Sequence, residues 1–185
     1  PAIVNRISFT GELGYEIYVA PHFQLKLYEE MEAVGKEFSL KPFGGRALMS
    51  LRLEKNWGVW TLDFRPDFTA KESGLDFFID WNKDFIGKKS AENDNSNLKL
   101  TPLIIETKDI DVTNNEAVMK DRKSIGYITS GGYAHYIKKS VAYSYLDEKI
   151  SKTNEKIQVE INGNFYDCSI IKKPLYDPSG TKMRS

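Results

Sequence analysis

The sequence predicts an α+β protein, a mixed lobe of helices and short strands followed by an antiparallel β-barrel or sandwich. Three observations carry that reading. Phe23, Leu27, Met31, Val34 and Phe38 recur at helical spacing and form one apolar stripe. From Lys99 onward, strand-like runs follow at short intervals, at 99–106, 115–119, 124–129, 139–146, 156–161 and 164–171. Between the last two stands Asn162-Gly163, the preferred pair for a two-residue hairpin turn. A turn there sets Ile161 opposite Asn164, Val159 opposite Tyr166 and Ile157 opposite Cys168. Apart from Asn164, the apolar residues then share one face.

Residues 3–9 and 14–19 read as a hairpin. Tyr15, Ile17 and Val19 fall on one face of its second strand, which puts Glu16 and Tyr18 together on the other. Pro21 opens the helix that carries the apolar stripe, a position where a missing N–H costs little. In "GGRALMSLRLEKNWG" (44–58), two glycines precede strong helix formers, and the pattern predicts a helix from about Arg46 to Lys55. "LDFFIDW" (75–81) reads as a strand, and "KDFIGKKSA" (83–91) as a loop leading into a short helix. "ENDNSN" (92–97) is polar and turn-prone with no apolar period, and it marks a linker between residues 1–92 and 98–185.

Composition narrows the function. The 185 residues carry 26 basic and 26 acidic side chains, a balance that gives no electrostatic case for nucleic acid or an anionic membrane. No apolar stretch approaches the ~20 residues of a membrane span. Cys168 is the single cysteine, so no disulfide forms within the chain. That usage fits a reducing compartment, the cytoplasm or, in a eukaryote, the mitochondrial matrix. His22 and His135 are the two histidines and make no metal set with one thiol. There is no phosphate-binding loop and no nucleophile elbow, and the glycines of "GELG" lack dinucleotide-binding spacing.

Five stretches in order carry a resemblance: "FTGELGYEIY" (9–18), "GGRALMSLRLEKNWGVW" (44–60), "DFIGKK" (84–89), "IGYITSGGYAHYIKKSVAYSYL" (125–146) and "KKPLYDP" (172–178). Together they resemble the C-terminal part of the aminomethyltransferase family. That family includes the T-protein of the glycine cleavage system and the folate-binding halves of dimethylglycine and sarcosine dehydrogenases. "GELGYE" with "LEKNWGVW" is more similar to the dehydrogenase branch than to the T-protein pattern "YTGEDG" and "LEAG". The resemblance implies that residues 1–92 are the C-terminal part of a folate-binding domain and 98–185 a C-terminal β-barrel. It also implies that a first lobe, and any flavin (FAD) domain, would lie upstream of Pro1.

The resemblance further implies a set of tetrahydrofolate-binding residues. Glu16 matches the glutamate that binds the pterin, where a carboxylate accepts two adjacent N–H groups at once. Tyr18 shares its face. Phe9 stands where the dehydrogenase branch often has a tyrosine packed on the folate. Arg46 matches an arginine suited to the cofactor's carboxylate tail or a pterin carbonyl, and Tyr176 matches an aromatic that approaches from the barrel. The plain alternatives are a solvated strand carboxylate, a helix-start surface arginine and a barrel-edge tyrosine. The family's key aspartate would lie upstream of Pro1, so no catalytic residue is assigned and this stretch alone is expected to turn nothing over.

The implied function is oxidoreductase-linked one-carbon metabolism. A methylated amine is oxidised by a flavin elsewhere in the protein, and tetrahydrofolate takes up the carbon. Two other readings stay open. One is a stand-alone aminomethyltransferase or demethylase of the same fold, a transferase that in its T-protein form needs a lipoyl carrier protein. The other is a folate-binding or scaffold protein without turnover, although the K-G-C-Y-x-G-Q-E signature frequent in such relatives is absent.

Overall fold

The computed structural model describes residues 1–153 and 155–185. Strands β1 (Ala2–Asn5) and β2 (Glu16–Val19) pair antiparallel, with Asn5 opposite Glu16 and Ile3 opposite Tyr18. Both are shorter than the expected 3–9 and 14–19, because the glycine-containing stretch 6–15 folds as a loop. A 3-10 turn at Pro21–Phe23 leads into α1 (Gln24–Gly35) and a second 3-10 turn at Lys36–Phe38 ends it. The run of strong helix formers gives α2 (Gly45–Glu54), and the short helix after the 83–87 loop is α3 (Lys88–Glu92).

The strand expected at 75–81 does not form. Asp76–Phe78 is a 3-10 turn, with the Phe78 and Ile79 amides donating to the Leu75 and Asp76 carbonyls at 3.0 Å each. An apolar run without alternation does not distinguish strand from turn or helix. Here Gly74, at φ +70°, reverses the chain just before the run and lets its amides close locally.

The second half is a closed, antiparallel barrel. Its strands are β3 (Leu98–Ile105), β4 (Ala117–Lys120), β5 (Lys123–Ala134), β6 (Lys139–Asp147), β7 (Ile157–Ile161) and β8 (Asn164–Ile170). They run in the order β3-β6-β5-β4-β7-β8, and β8 closes back on β3. The Asn162-Gly163 turn gives the register expected from the sequence, with Ile157 opposite Cys168, Val159 opposite Tyr166 and Ile161 opposite Asn164. Helix α4 (Glu148–Lys152) is capped by the Asp147 carboxylate, which accepts from the Lys149 amide at 2.8 Å, and α5 (Thr181–Arg184) ends the chain.

Strand β6 explains how the two halves join. Inside the barrel, Ala142 and Leu146 pack with Leu103, Val118, Ile128 and Val159. On the outer face of the same strand, Val141 and Tyr143 pack with Leu53 of α2. Tyr145 takes the Phe68 ring at a stacked 3.5 Å centroid distance. A strand buried on both faces reads as the run "VAYSYL", apolar or aromatic but for the buried Ser144, rather than as alternation.

Cys168 lies in the barrel core, and burial pushes its thiol from 9.0 up to about 12. Two outcomes are expected. A thiol reagent at pH 8 should leave the folded chain unlabelled and modify it fully in denaturant. Above pH 9 the unfolded chain gives up this proton while the folded one keeps it. The stability is therefore full below pH 9 and declines above it, by at most ~1.4 kcal/mol per pH unit from this group. Rapid labelling of the folded chain at pH 8 would place the thiol at the surface. Among the described residues no helix is long and apolar enough to cross a membrane.

Candidate functional site

The loop before β2 is held from within. The Gly11 amide donates to Ser8 Oγ at 3.0 Å and the Glu12 amide to Thr10 Oγ1 at 3.3 Å. Glycine is needed at position 11, where φ is +80° and an added Cβ would sit 1.9 Å from Cγ of Lys55. The loop delivers the chain into β2, whose alternation sets Glu16 and Tyr18 side by side. The Tyr18 hydroxyl donates to Glu16 Oε2. That bond, and then the carboxylate's charge, raise the Tyr18 hydroxyl above its ordinary value. Both side chains face solvent.

Phe9 lines a different feature, a cleft of about 550 Å³ between α2, the 57–78 segment and β6. Trp57, Trp60, Phe64, Phe77 and Phe78 wall it, and Arg52 and Tyr143 also line it. Arg46 is exposed on the first turn of α2, and among the described residues it makes no hydrogen bond or ion pair to Glu16. Tyr176 sits where the C-terminal segment meets α2. Its amide donates to the Glu54 carbonyl at 3.2 Å, and its ring meets that of Tyr136 edge-on with centroids 4.8 Å apart. A hydrogen bond to Glu12 raises the Tyr176 hydroxyl, and a bond from Lys182 opposes it. Glu16 and Tyr18 therefore form one contacting pair, Tyr176 meets Glu12 of the loop that leads to them, Phe9 lines the aromatic cleft, and Arg46 stands exposed at the start of α2.

Several residues that sequence reasoning passed over hold this arrangement. Lys55 donates to Asp177 Oδ2 at 3.0 Å and to the Asp177 carbonyl at 2.9 Å, with both side chains about 5 % exposed. Burial works against the Asp177 charge, yet Lys55 and the backbone N–H groups of the last helix hold its carboxyl below the usual value. Glu54 Oε1 accepts the Tyr136 amide at 2.6 Å. The stretches "TGELG", "LEKN", "GGYAHY" and "PLYDP" are thus knitted together through α2.

Deeper still, Arg52 pairs with Asp63 at 2.8 Å, both fully buried. Asp63 Oδ2 also accepts the Val59 amide at 2.9 Å. Asp63 Oδ1 accepts the hydroxyls of Thr129 and Ser130, brought to one side by a bulge between Ile128 and Ser130 in β5. Arg52 donates to the Trp57 carbonyl at 3.0 Å. Burial lowers the Arg52 guanidinium from its ordinary value, and the Asp63 charge opposes this. Burial also drives the Tyr143 hydroxyl well up. The one available signal was three charges in the consecutive stretch "RLEK" of a helix otherwise rich in apolar residues.

Comparison with known proteins places this geometry. Residues 1–83 match the GCVT N-terminal domain, and residues 99–177 match the glycine cleavage T-protein C-terminal barrel domain. Carrying both domains in this order, the chain belongs to the aminomethyltransferase (glycine cleavage T-protein) family. The mitochondrial dimethylglycine dehydrogenase of Mus musculus is 37% identical over 180 residues, 95% of this chain and 21% of that protein. An aminomethyltransferase of Thermoanaerobacter pseudethanolicus is 30% identical over 177 residues, 94% of this chain and 48% of that protein. The crystal structure of glycine cleavage system aminomethyltransferase T from Bartonella henselae shares the fold, with a TM-score of 0.86 at 22% identity over 96% of this chain and 50% of that chain. The chain thus spans about half the length of these aminomethyltransferases and about a fifth of the dehydrogenase.

Proposed function

We propose that the chain is the folate-binding part of a tetrahydrofolate-dependent one-carbon transfer protein of the dimethylglycine/sarcosine dehydrogenase kind. The observation that carries the reading is the Glu16–Tyr18 pair on one face of β2. A solvent-facing carboxylate steadied by its neighbour's hydroxyl suits a pterin edge. Oε2 takes the Tyr18 bond and keeps a second lone pair, and Oε1 has no donor among the described residues. Two adjacent N–H groups can therefore be accepted together. Higher identity to dimethylglycine dehydrogenase than to the aminomethyltransferase supports the dehydrogenase branch.

Tetrahydrofolate, when bound, supplies the nitrogen nucleophiles that take a one-carbon unit from a methylated amine. In this reading the chain's own residues orient and do not react. Glu16 fixes the pterin, and Tyr18 fixes Glu16. Phe9 offers a ring face, Arg46 meets the anionic tail, and Tyr176 closes the barrel side. Orientation of this kind can account for much of a transfer reaction's barrier. The flavin that oxidises the amine would belong to another part of the protein. A lipoyl carrier would be the partner only if the donor were T-protein-like. The compartment we assign is a reducing one, the cytoplasm or the mitochondrial matrix.

Glu16→Gln tests the reading. Tetrahydrofolate is titrated into the chain, and into a single polypeptide joining the chain to the part of the Thermoanaerobacter aminomethyltransferase it does not match. Glutamine keeps the shape and one acceptor but loses the charge. A charge-assisted hydrogen bond contributes ~1–3 kcal/mol, so the affinity is expected to fall about 5- to 150-fold. Equal affinities of wild type and variant would make Glu16 a solvated strand residue and place the site elsewhere.

A further inference from the structure

We infer that the aromatic cleft between α2, the 57–78 segment and β6 is a second ligand site, built for a small zwitterion that carries a carboxylate and an alkylated ammonium. The polar evidence lies at its floor. Arg52 lines the cleft and is 1% exposed. Its Nη1 serves Asp63 and the Trp57 carbonyl, while Nε and Nη2 have no partner among the described residues. Those two nitrogens form the side-on fork that a carboxylate fills with two parallel bonds. The Tyr143 hydroxyl and Asn56 Oδ1, on two other lining residues, are buried and unpartnered as well. Orphaned polar atoms are rare in folded interiors, and here three side chains of one cleft carry four of them.

The walls supply the other half of the recognition. Trp57, Trp60, Phe64, Phe77 and Phe78 enclose about 550 Å³. Gly58 lets the Phe64 ring approach, since an added Cβ would lie 2.5 Å from its Cζ. Trp60 and Phe64 meet at 70°, and Phe77 and Phe78 at 35°. Rings set at such angles make a box, not the parallel-sided slot that takes a flat ring between two stacked faces. A rounded cation meets several ring faces in a box, and each face attracts its charge.

Charge decides which small molecule fits. Arg52 and Asp63 already cancel each other. An anion alone would leave excess negative charge at the floor, and a cation alone would leave the fork empty. A zwitterion adds no net charge and fills both places. Among the described residues, none of those lining the cleft is acidic. A primary ammonium brings three N–H donors that call for such a partner, whereas an alkylated one calls for ring faces. The carboxylate therefore belongs on Arg52 and the Tyr143 hydroxyl, and the alkylated nitrogen among the rings, where Asn56 Oδ1 offers a partial negative charge. The site uses neither Glu16, Tyr18, Arg46 nor Tyr176. Phe9, which also lines the cleft, is the one residue it shares with the folate reading, and the inference does not depend on that reading.

The experiment titrates glycine betaine into the chain without folate, followed by tryptophan fluorescence and calorimetry. Saturable binding in the millimolar range or tighter is expected, with N,N-dimethylglycine close to it. Choline, which lacks the carboxylate, and glycine, which lacks the methyl groups, should bind at least about 10-fold more weakly. Trp60→Ala removes a ring that is 72% exposed, so the fold is kept, and betaine affinity should fall about 5- to 30-fold. Tyr143→Phe keeps the ring that packs with Leu53 and should weaken betaine about 10-fold while leaving choline unchanged. The joined polypeptide described above should give the same order of affinities. No binding of betaine at millimolar concentration, equal binding of betaine and choline, or an unchanged affinity in Trp60→Ala would overturn the assignment. So would tighter binding of 4-aminobenzoate than of betaine, which would make the cleft a slot for a flat ring, or loss of betaine binding in the joined polypeptide, which would mean that the cleft is filled there.

Discussion

Asp63→Ala is expected to destabilise the chain by about 3–5 kcal/mol, the cost of removing one partner from a buried ion pair. Chemical denaturation followed by tryptophan fluorescence measures it. The loss is large because four groups lean on this carboxylate. Arg52 would keep its charge with no water to solvate it, and the Thr129 and Ser130 hydroxyls and the Val59 amide would lose their acceptor. The backbone consequence follows, since Asp63 and Arg52 together pin the 57–63 segment that walls the aromatic cleft. Replacing both partners, Arg52→Met with Asp63→Leu, removes the stranded charge and should cost clearly less than Asp63→Ala alone. A cost under ~1 kcal/mol for Asp63→Ala would mean that water reaches the pair and that the pair does not organise the segment.

How far such features can be read from the sequence depends on their range. The barrel was legible because alternation with period two is a local signal and the Asn162-Gly163 turn fixes the register of the strands beside it. The Glu16–Tyr18 pairing was legible for the same reason, since neighbours two apart in a strand share a face. The run 75–81 was not legible, because its apolar residues do not alternate and the deciding fact, local closure after Gly74, lies in the backbone. Arg52, Lys55 and Asp177 were passed over for a different reason. A charge in a helix is exposed by default, and only tertiary structure brings position 52 to 63 or position 55 to 177. The helix stripe of α1 was read correctly as a stripe, but no pattern in the chain says what should cover it. The signature stretches that point to the family turn out to be largely joints between α2, the N-terminal loop, the barrel and the C-terminal segment. Resemblance therefore identified the fold more directly than it identified the cofactor contacts.

One of those joints makes the second strong prediction, Gly11→Ala. Alanine at φ +80° meets the steric penalty of the left-handed region, ~1 kcal/mol or somewhat more. Its Cβ would also fall 1.9 Å from Cγ of Lys55, with Cδ and Cε under 3 Å away. A lysine stem usually yields to such a contact, but this one is pinned at both ends. Its backbone closes α2, and its ammonium is held by the side chain and carbonyl of Asp177. Overpacking against a fixed neighbour adds ~1–3 kcal/mol, so the expected total is about 2–4 kcal/mol. The loop must then move, and with it Phe9, Glu12 and the entry to β2. Tetrahydrofolate affinity should fall as well, although Gly11 is not among the residues assigned to the cofactor. The mechanism has its own check in the Lys55→Ala background, where the three crowding carbons are gone and only the backbone penalty remains. There Gly11→Ala should cost no more than about 1–2 kcal/mol. If the two substitutions instead add in full, the stem is not what holds the loop, and the glycine is required for its backbone conformation alone.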